Sequence, residues 1–346
     1  MVLIDADHPT TARAWSEEEM RARVVRYSEL VPCLNAFIDT RTPGSETKEN
    51  FTIIGPGVSE NPEQHVHIAE PHGFNIGGAR QPPHCVNSQH SHETAEVFVV
   101  FSGEWTFNIG ERGEDVRVQA GPGAVASIPT GMFRGFTNVG TEPGFLWVVL
   151  GGDDPGHVKW APYVFDMARD YGLVLMEDGS LVDTTVGQTP PPGLKPMART
   201  TPEEVAAMRV PSRAEVEAVV VRPGAFDALP EGPLTGPGVE ERCVIGPANP
   251  AEGVSAGPLG WPHGFHLRRL KLAPGAATGR HERAEPEVVF VQEGRATLRW
   301  DGGALELGPG DTLTTPVGLA RDYASTEGAV LFVVHGGDRP APPIMV

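Results

Sequence analysis

The sequence predicts an all-β protein that contains two antiparallel β-barrels, or jelly rolls, in tandem. Its 346 residues are enough for about two domains. The chain has 42 glycines and 34 prolines, while 40% of its residues are hydrophobic, which is typical of a turn-rich β-protein with a sizeable core. Short apolar runs such as EVFVVFSG and FLWVVLGG, bounded by glycine, proline, aspartate or asparagine, have the length of strands joined by tight turns.

An internal repeat indicates that the barrel is duplicated. The segment Ile54-Gly55-Pro56 recurs 191 residues later as Ile245-Gly246-Pro247. The same offset relates Pro71-His72-Gly73-Phe74 to Pro262-His263-Gly264-Phe265, His90 to His281, Glu96 to Glu287, and Gly103 to Gly294. Later matches have slightly smaller offsets, as expected when turns lose a few residues. A repeat of this length predicts two barrels of the same fold.

The repeat divides the chain into four predicted regions. These are an N-terminal arm with a helix (1–49), an N-terminal barrel (50–153), a helical and proline-rich linker (154–221) and a C-terminal barrel (222–346). The stretch QTPPPGLKP in the linker reads as a semi-rigid spacer. We therefore expect two independent cores, with the first proteolytic cleavage between Gly187 and Arg199.

Helices are predicted only outside the barrels. In the arm, Ser16 and Glu19 form a capping box, and apolar residues at helical spacing continue as far as Val31. In the linker, Pro162 starts a second predicted helix and Thr201 caps a third. The helix of the arm is expected to pack on a barrel.

Charge and cysteine content restrict the partners and the compartment. The formal net charge of −18 repels phosphate backbones and anionic membranes, so neither nucleic acid nor a membrane is an expected partner. Cys33, Cys85 and Cys243 are odd in number and far apart, which argues against a disulfide framework. The N-terminus lacks the pattern of a leader, and no run of about 18 apolar residues occurs. We expect a cytoplasmic protein.

The run QHSHETAEVFVVFSG contains the candidate metal ligands. His90, His92 and Glu96 stand at even spacings, so on one strand their side chains would share a face. Two imidazoles and a carboxylate are ligands for a first-row divalent metal. Arg134 lies on a later predicted strand, where a further inward-facing group is expected.

These motifs resemble those of the cupin superfamily. The pattern H-x-H-x3-E-x6-G matches at residues 90–103, and G-x5-P-x-G matches at residues 123–131, with Asn138 beyond it. The duplication resembles a bicupin, over about residues 50–153 and 240–338. This resemblance implies the fold, but it leaves the reaction open, because cupins include dioxygenases, decarboxylases, isomerases and proteins without catalysis. Where metal-binding cupins supply a third histidine, this sequence has Arg134.

The second barrel departs further from the family pattern. His281 and Glu287 remain, but Arg283 replaces the second histidine and Arg321 takes the position of the third. Two cations make metal binding there unfavourable, although His335 leaves open a site of another geometry. We therefore expect one metal per chain, and a second barrel that supports the first and forms a contact in a homo-oligomer, for which we favour a dimer.

The ligand set favours a non-haem Fe(II) dioxygenase that acts on a small anionic substrate, a carboxylate or an enolate. Arg134 would hold this substrate by a bidentate, charge-assisted pair. The expected apolar wall of its pocket consists of Trp105, Phe107, Met132 and Phe133.

Two other functions remain open. A non-redox isomerase or lyase would carry Zn²⁺, Mn²⁺ or Ni²⁺ on the same ligands. A small-molecule-binding or structural bicupin would carry no metal, and in it Arg134 would simply pair with Glu96.

Overall fold

The short apolar runs of each repeat form strands, and these strands build two β-barrels. The structure is a computed structural model, and it describes residues 13–346. Residues 1–12 of the predicted arm lie outside the described residues. Within the described residues, no helix is both long enough and apolar enough to cross a membrane.

In the described part of the arm and in the first barrel there are one α-helix and eleven strands. In chain order they are α1 Glu17–Arg21, β1 Val24–Val25, β2 Glu49–Ile54, β3 Val66–Ile68, β4 Phe74–Gln81, β5 Val86–Ser91, β6 Glu96–Ser102, β7 Trp105–Ile109, β8 Val116–Ala120, β9 Val125–Ile128, β10 Arg134–Asn138 and β11 Gly144–Gly151. Strands β2 to β11, together with two linker strands, form a seven-stranded and a five-stranded sheet.

The linker contains three helices and four short strands, and the second barrel follows it. The linker elements are β12 Lys159–Trp160, α2 Pro162–Asp170, β13 Leu173–Leu175, β14 Leu181–Asp183, α3 Pro202–Ala207, α4 Arg213–Glu217 and β15 Val220–Val221. The second barrel consists of β16 Val239–Ile245, β17 Phe265–Leu272, β18 His281–Glu282, β19 Glu287–Gly294, β20 Ala296–Trp300, β21 Gly303–Leu307, β22 Thr312–Thr315, β23 Arg321–Ala324, β24 Ala329–Gly336 and β25 Ile344–Met345. Single 3₁₀ turns lie at Tyr27–Glu29, Thr184–Val186 and Pro223–Ala228.

The predicted linker helices are confirmed, but the arm helix is much shorter than predicted. Ser16 and Glu19 form the capping box, yet α1 ends at Arg21. Val24 and Val25 instead pair with Leu313 and Thr312 of β22. Pairing with a neighbouring sheet therefore overrides the helical spacing of the arm.

Each barrel contains a strand from a segment outside it: the arm contributes a strand to the second barrel, and the end of the linker contributes one to the first. Strand β1 precedes the first barrel but joins the large sheet of the second, at the edge formed by β22. Strand β15 precedes the second barrel but pairs with β9 of the first, with Val220 opposite Ala126. The two barrels are therefore joined by a reciprocal exchange of strands.

The apolar core of the first barrel extends into the contact with the second barrel. Trp147 stacks on Phe290 with ring centroids 4.8 Å apart, and Phe74 lies 6.1 Å from Phe265. The repeated Pro-His-Gly-Phe motif makes a second link, because His263 Nε2 lies 2.7 Å from the Ser127 hydroxyl of the opposite barrel. The expectation of two independent cores is therefore only partly right: the second barrel has an apolar cluster of its own, but some of its side chains, such as Val288 and Phe290, belong to the cluster of the first barrel.

Limited proteolysis tests this shared core. The spacer from Gly187 to Gly193 is exposed, whereas a 2.8 Å backbone hydrogen bond joins Met197 to Leu175, so cleavage should occur first within 187–193. Because the barrels share strands and a core, the two fragments should elute together on size exclusion without denaturant. Two separately folded fragments that elute apart would contradict the shared core.

Candidate metal centre

His90, His92 and Glu96 meet inside the first barrel, where β5 turns into β6. His90 lies on β5, His92 follows the end of that strand, and Glu96 begins β6. One ligand atom of each residue lies within 4.8 Å of the others, and all three side chains are buried. The expectation that the three share one strand is wrong, because a turn at residues 93–95 separates Glu96 from the histidines. The turn nevertheless directs all three toward one point.

Hydrogen bonding and burial keep both imidazoles ready to bind a metal. His90 Nδ1 lies 2.7 Å from the Ser88 carbonyl oxygen, so Nδ1 carries the proton and the lone pair of Nε2 is free. Burial lowers the pKa of His90 well below its usual range and also lowers the pKa of His92. Both rings are therefore neutral at pH 7, the form in which histidine binds metals.

Arg134 neutralises Glu96 and uses two of its donors to do so. Its Nε and Nη2 donate to Glu96 Oε2 at 3.0 Å and 2.7 Å. Glu96 Oε1 points the other way and lies 3.3 Å from His92 Nε2. Burial by itself raises the pKa of Glu96, but contact with His92 and the charge of Arg134 lower it below its usual range. The carboxylate is therefore ionised, with one oxygen left for a metal.

This geometry corrects the role predicted for Arg134. Glu96 already occupies the Nε and Nη2 donors of the Arg134 guanidinium. Only Nη1 of Arg134 has no partner among the described residues, and Arg134 does not line the cavity. Arg134 is therefore a positioning residue for Glu96.

A cavity of about 670 Å³, including its opening to solvent, begins at the three candidate ligands. Trp160 of the linker forms part of its wall, pairs with β5 opposite His90, and packs on the His90 ring at 5.4 Å. Arm residues Ala36 and Phe37 also line it. The predicted wall was wrong, because none of the four side chains proposed for it, Trp105, Phe107, Met132 and Phe133, lines the cavity; they are buried in the protein core.

The arm also holds the ligand strand in place. The Ser88 backbone N–H donates to Asp39 Oδ2 at 3.0 Å, and Lys48 Nζ donates to Asn87 Oδ1 at 3.0 Å. Lys48 and Asp39 form a fully buried ion pair with each other. Since the Ser88 carbonyl fixes His90, this pair from outside the barrel orients a candidate ligand.

In the second barrel the matching carboxylate has no oxygen free. Glu287 Oε1 accepts a hydrogen bond of 2.7 Å from the Tyr323 hydroxyl, while Oε2 lies 2.7 Å from Arg321 Nη2 and 3.1 Å from His335 Nε2. Arg283 replaces the second histidine and donates to Glu252 at 2.7 Å. Among the described residues, His281, Glu287 and His335 do not form a group able to hold a metal ion.

Comparison with known proteins agrees with the duplicated architecture. A model of the cupin domain family (Cupin_2) matches residues 79–150 and again residues 268–335. The chain is a two-domain cupin. Comparison of its sequence with curated proteins gives no significant match.

Solved structures share the fold of this cupin at low identity. Oxalate decarboxylase from Bacillus subtilis is 13% identical with a TM-score of 0.53, over 99% of this chain and 80% of that chain. A variant of salicylate 1,2-dioxygenase from Pseudoaminobacter salicylatoxidans is 16% identical with a TM-score of 0.51, over 90% of this chain and 83% of that chain. These similarities show the fold alone.

The Arg134–Glu96 pair gives a prediction about the metal-free cupin. Arg134→Gln should lower the free energy of unfolding by about 3 to 5 kcal/mol, because Glu96 would remain as a buried charge without its partner. The double variant Arg134→Gln/Glu96→Gln removes both charges and should recover most of the loss. Denaturant unfolding measures both, and a single variant as stable as the parent protein would show that the pair does not neutralise Glu96.

The buried histidines of the second barrel predict a dependence on pH. Burial lowers the pKa of His281 to about 4 and that of His335 to about 3, against about 6.5 in the unfolded chain. Below about pH 6.5 the unfolded chain therefore binds protons that the folded chain excludes, so stability falls as the pH decreases. Each histidine contributes up to about 1.4 kcal/mol per pH unit.

Denaturant unfolding between pH 7.5 and 5 measures this slope. His335→Gln should make this slope shallower. An equal slope in His335→Gln and the parent protein would show that His335 is not held neutral in the folded state.

Proposed function

We propose that the first barrel binds one divalent metal through His90, His92 and Glu96 and that it is the active site of a metal-dependent enzyme. The observation that carries this proposal is the convergence of three buried ligand atoms within 4.8 Å at one end of a cavity. The histidines are neutral and the carboxylate is ionised, so the site needs no change of protonation to bind a metal.

Iron(II) and dioxygenase chemistry are the assignment we favour. Two histidines and one carboxylate are typical of non-haem Fe(II) oxygenases, in which the iron binds substrate and O₂ and supplies electrons. The structurally similar salicylate 1,2-dioxygenase is named for such a reaction, and oxalate decarboxylase for another. A non-redox lyase or isomerase with Zn²⁺, Mn²⁺ or Ni²⁺ would use the same ligands.

The chain's own residues would orient the ligands and exclude water. Arg134 fixes the carboxylate of Glu96 so that Oε1 stays directed toward His92. The Ser88 carbonyl fixes the His90 ring, and Trp160 covers one side of it. Holding each ligand in one position lowers the reorganisation needed when a metal and a substrate bind.

Metal stoichiometry tests the site. Protein purified without a metal-affinity tag should contain about one divalent metal per chain by elemental analysis after reconstitution. His90→Ala, His92→Ala and Glu96→Ala should each lose it, whereas the matched control His281→Ala in the second barrel should keep it. Two metals per chain, or none after reconstitution, would contradict the proposal.

Oxygen consumption separates the two kinds of chemistry. The Fe(II)-loaded protein should consume O₂ in step with a substrate that it binds, and His92→Ala should abolish this consumption. Turnover of a bound substrate without O₂ consumption would contradict the dioxygenase assignment and favour a non-redox enzyme.

A further inference from the structure

We propose that the substrate binds the metal at one end, has an apolar and uncharged body, and carries one oxygen that accepts a hydrogen bond from Asn50. This inference rests on the metal site proposed above, and it replaces the anionic substrate expected from the sequence.

The wall of the cavity favours an apolar body. Apart from the candidate ligands, the polar residues that line the cavity are Cys33, Asn50, Thr52, Ser59, Gln64 and Asn87, and the other lining residues are apolar. The largest of these side chains are Phe37, Phe51, Phe98, Phe136, Leu150 and Trp160. Burial against such a wall stabilises a substrate in proportion to the apolar area that it removes from water.

No cation in the wall is available to an ionised group on the substrate body. Among the described residues, the cavity is lined by neither lysine nor arginine. The two buried cations near it already have partners, Arg134 with Glu96 and Lys48 with Asp39. An ionised carboxylate that entered the cavity away from the metal would lose its hydration without gaining a counter-ion.

Asn50 is a residue of the wall that has one unpaired donor. It lines the cavity, and its Nδ2 is buried without a hydrogen-bond partner among the described residues. The backbone of Asn50 is fixed, because its carbonyl accepts a 2.8 Å hydrogen bond from the Cys33 N–H of the arm. A buried amide donor without a partner is unfavourable. A substrate that places an acceptor oxygen next to Asn50 Nδ2 should therefore bind more tightly than a substrate that lacks this oxygen.

Calorimetry on the Zn²⁺-loaded protein tests the charge of the body, since Zn²⁺ has no redox chemistry. The probes are 4-acetylcatechol and protocatechuate, two catechols of similar shape that carry a ketone or a carboxylate away from the metal-binding oxygens. The ketone should bind at least about tenfold more tightly, because the carboxylate must lose its hydration. Equal binding, or tighter binding of protocatechuate, would overturn the proposal of an uncharged body.

Variants of the wall test the donor. Asn50→Leu should weaken the binding of 4-acetylcatechol relative to that of 4-methylcatechol by about 2- to 10-fold, the value of one hydrogen bond. The matched control is Ser59→Ala, since the Ser59 hydroxyl already donates to the Ala36 carbonyl. If Asn50→Leu does not fold, tighter binding of 4-acetylcatechol than of 4-methylcatechol to the parent protein supports the donor. Equal affinities for these two probes would overturn it.

Metal content distinguishes failure of this inference from failure of the proposed function. If the parent protein binds no Zn²⁺, the metal site itself is wrong. If it binds Zn²⁺, loses it in His92→Ala and still prefers the carboxylate probe, the metal site stands and only the assigned substrate class is wrong.

Discussion

Glu96 and Glu287 are buried carboxylates at matching positions of the two barrels, and each has an arginine beside it. An ionised carboxylate inside a barrel is stable only if a cation and hydrogen-bond donors replace the water that it loses. Arg134 meets this requirement at one oxygen of Glu96 and leaves the other oxygen directed toward His92. Around Glu287, Arg321 lies near one oxygen and the Tyr323 hydroxyl occupies the other. The same duplicated motif therefore leaves a free ligand atom in one barrel only.

The candidate metal site of the first barrel depends on parts of the chain outside that barrel. Strand β15 closes the large sheet of the first barrel, and the Asp39 carboxylate of the arm holds the Ser88 N–H next to His90. The wall of the cavity is shared in the same way, since Phe37 comes from the arm and Trp160 from the linker. The reciprocal exchange of strands therefore affects the site as well as the stability of the fold, because an isolated barrel would lack these supports.

The sequence predicted the barrels because the repeated motifs mark turns and strand ends whose spacing is set by the fold. Gly103 and Gly294 show why such positions recur: both have positive φ, of 84° and 70°, and a Cβ on Gly103 would lie 2.7 Å from the Cα of Gly144. The ligand set could be named because its residue types and spacing are rare together. The sequence analysis did not predict the exchange of β1 and β15, although the sequence contains a signal for it. Ser16 and Ser212 each begin a capping box, and the run Val-Val-Arg follows both, at residues 24–26 and 220–222.

Other features of the site have no signal in one sequence. Nothing in the local sequence of Asn50 or Trp160 connects either residue to His90, because only the fold brings these segments together. The position of Arg134 on a strand could not distinguish its two predicted roles, binding a substrate and pairing with Glu96, because both roles require a side chain that faces inward. The 2.7 Å contact with Glu96 distinguishes them, and it is a property of side-chain packing rather than of spacing.

The central claim is that duplication left two equivalent positions, of which only the one at Glu96 retains a free ligand atom. Anomalous diffraction at the absorption edge of the bound metal, from crystals of the reconstituted protein, tests this claim most directly because it locates each ion. One anomalous peak per chain is expected, in contact with His90, His92 and Glu96. A peak beside Glu287, or a metal held by residues other than these three, would contradict it.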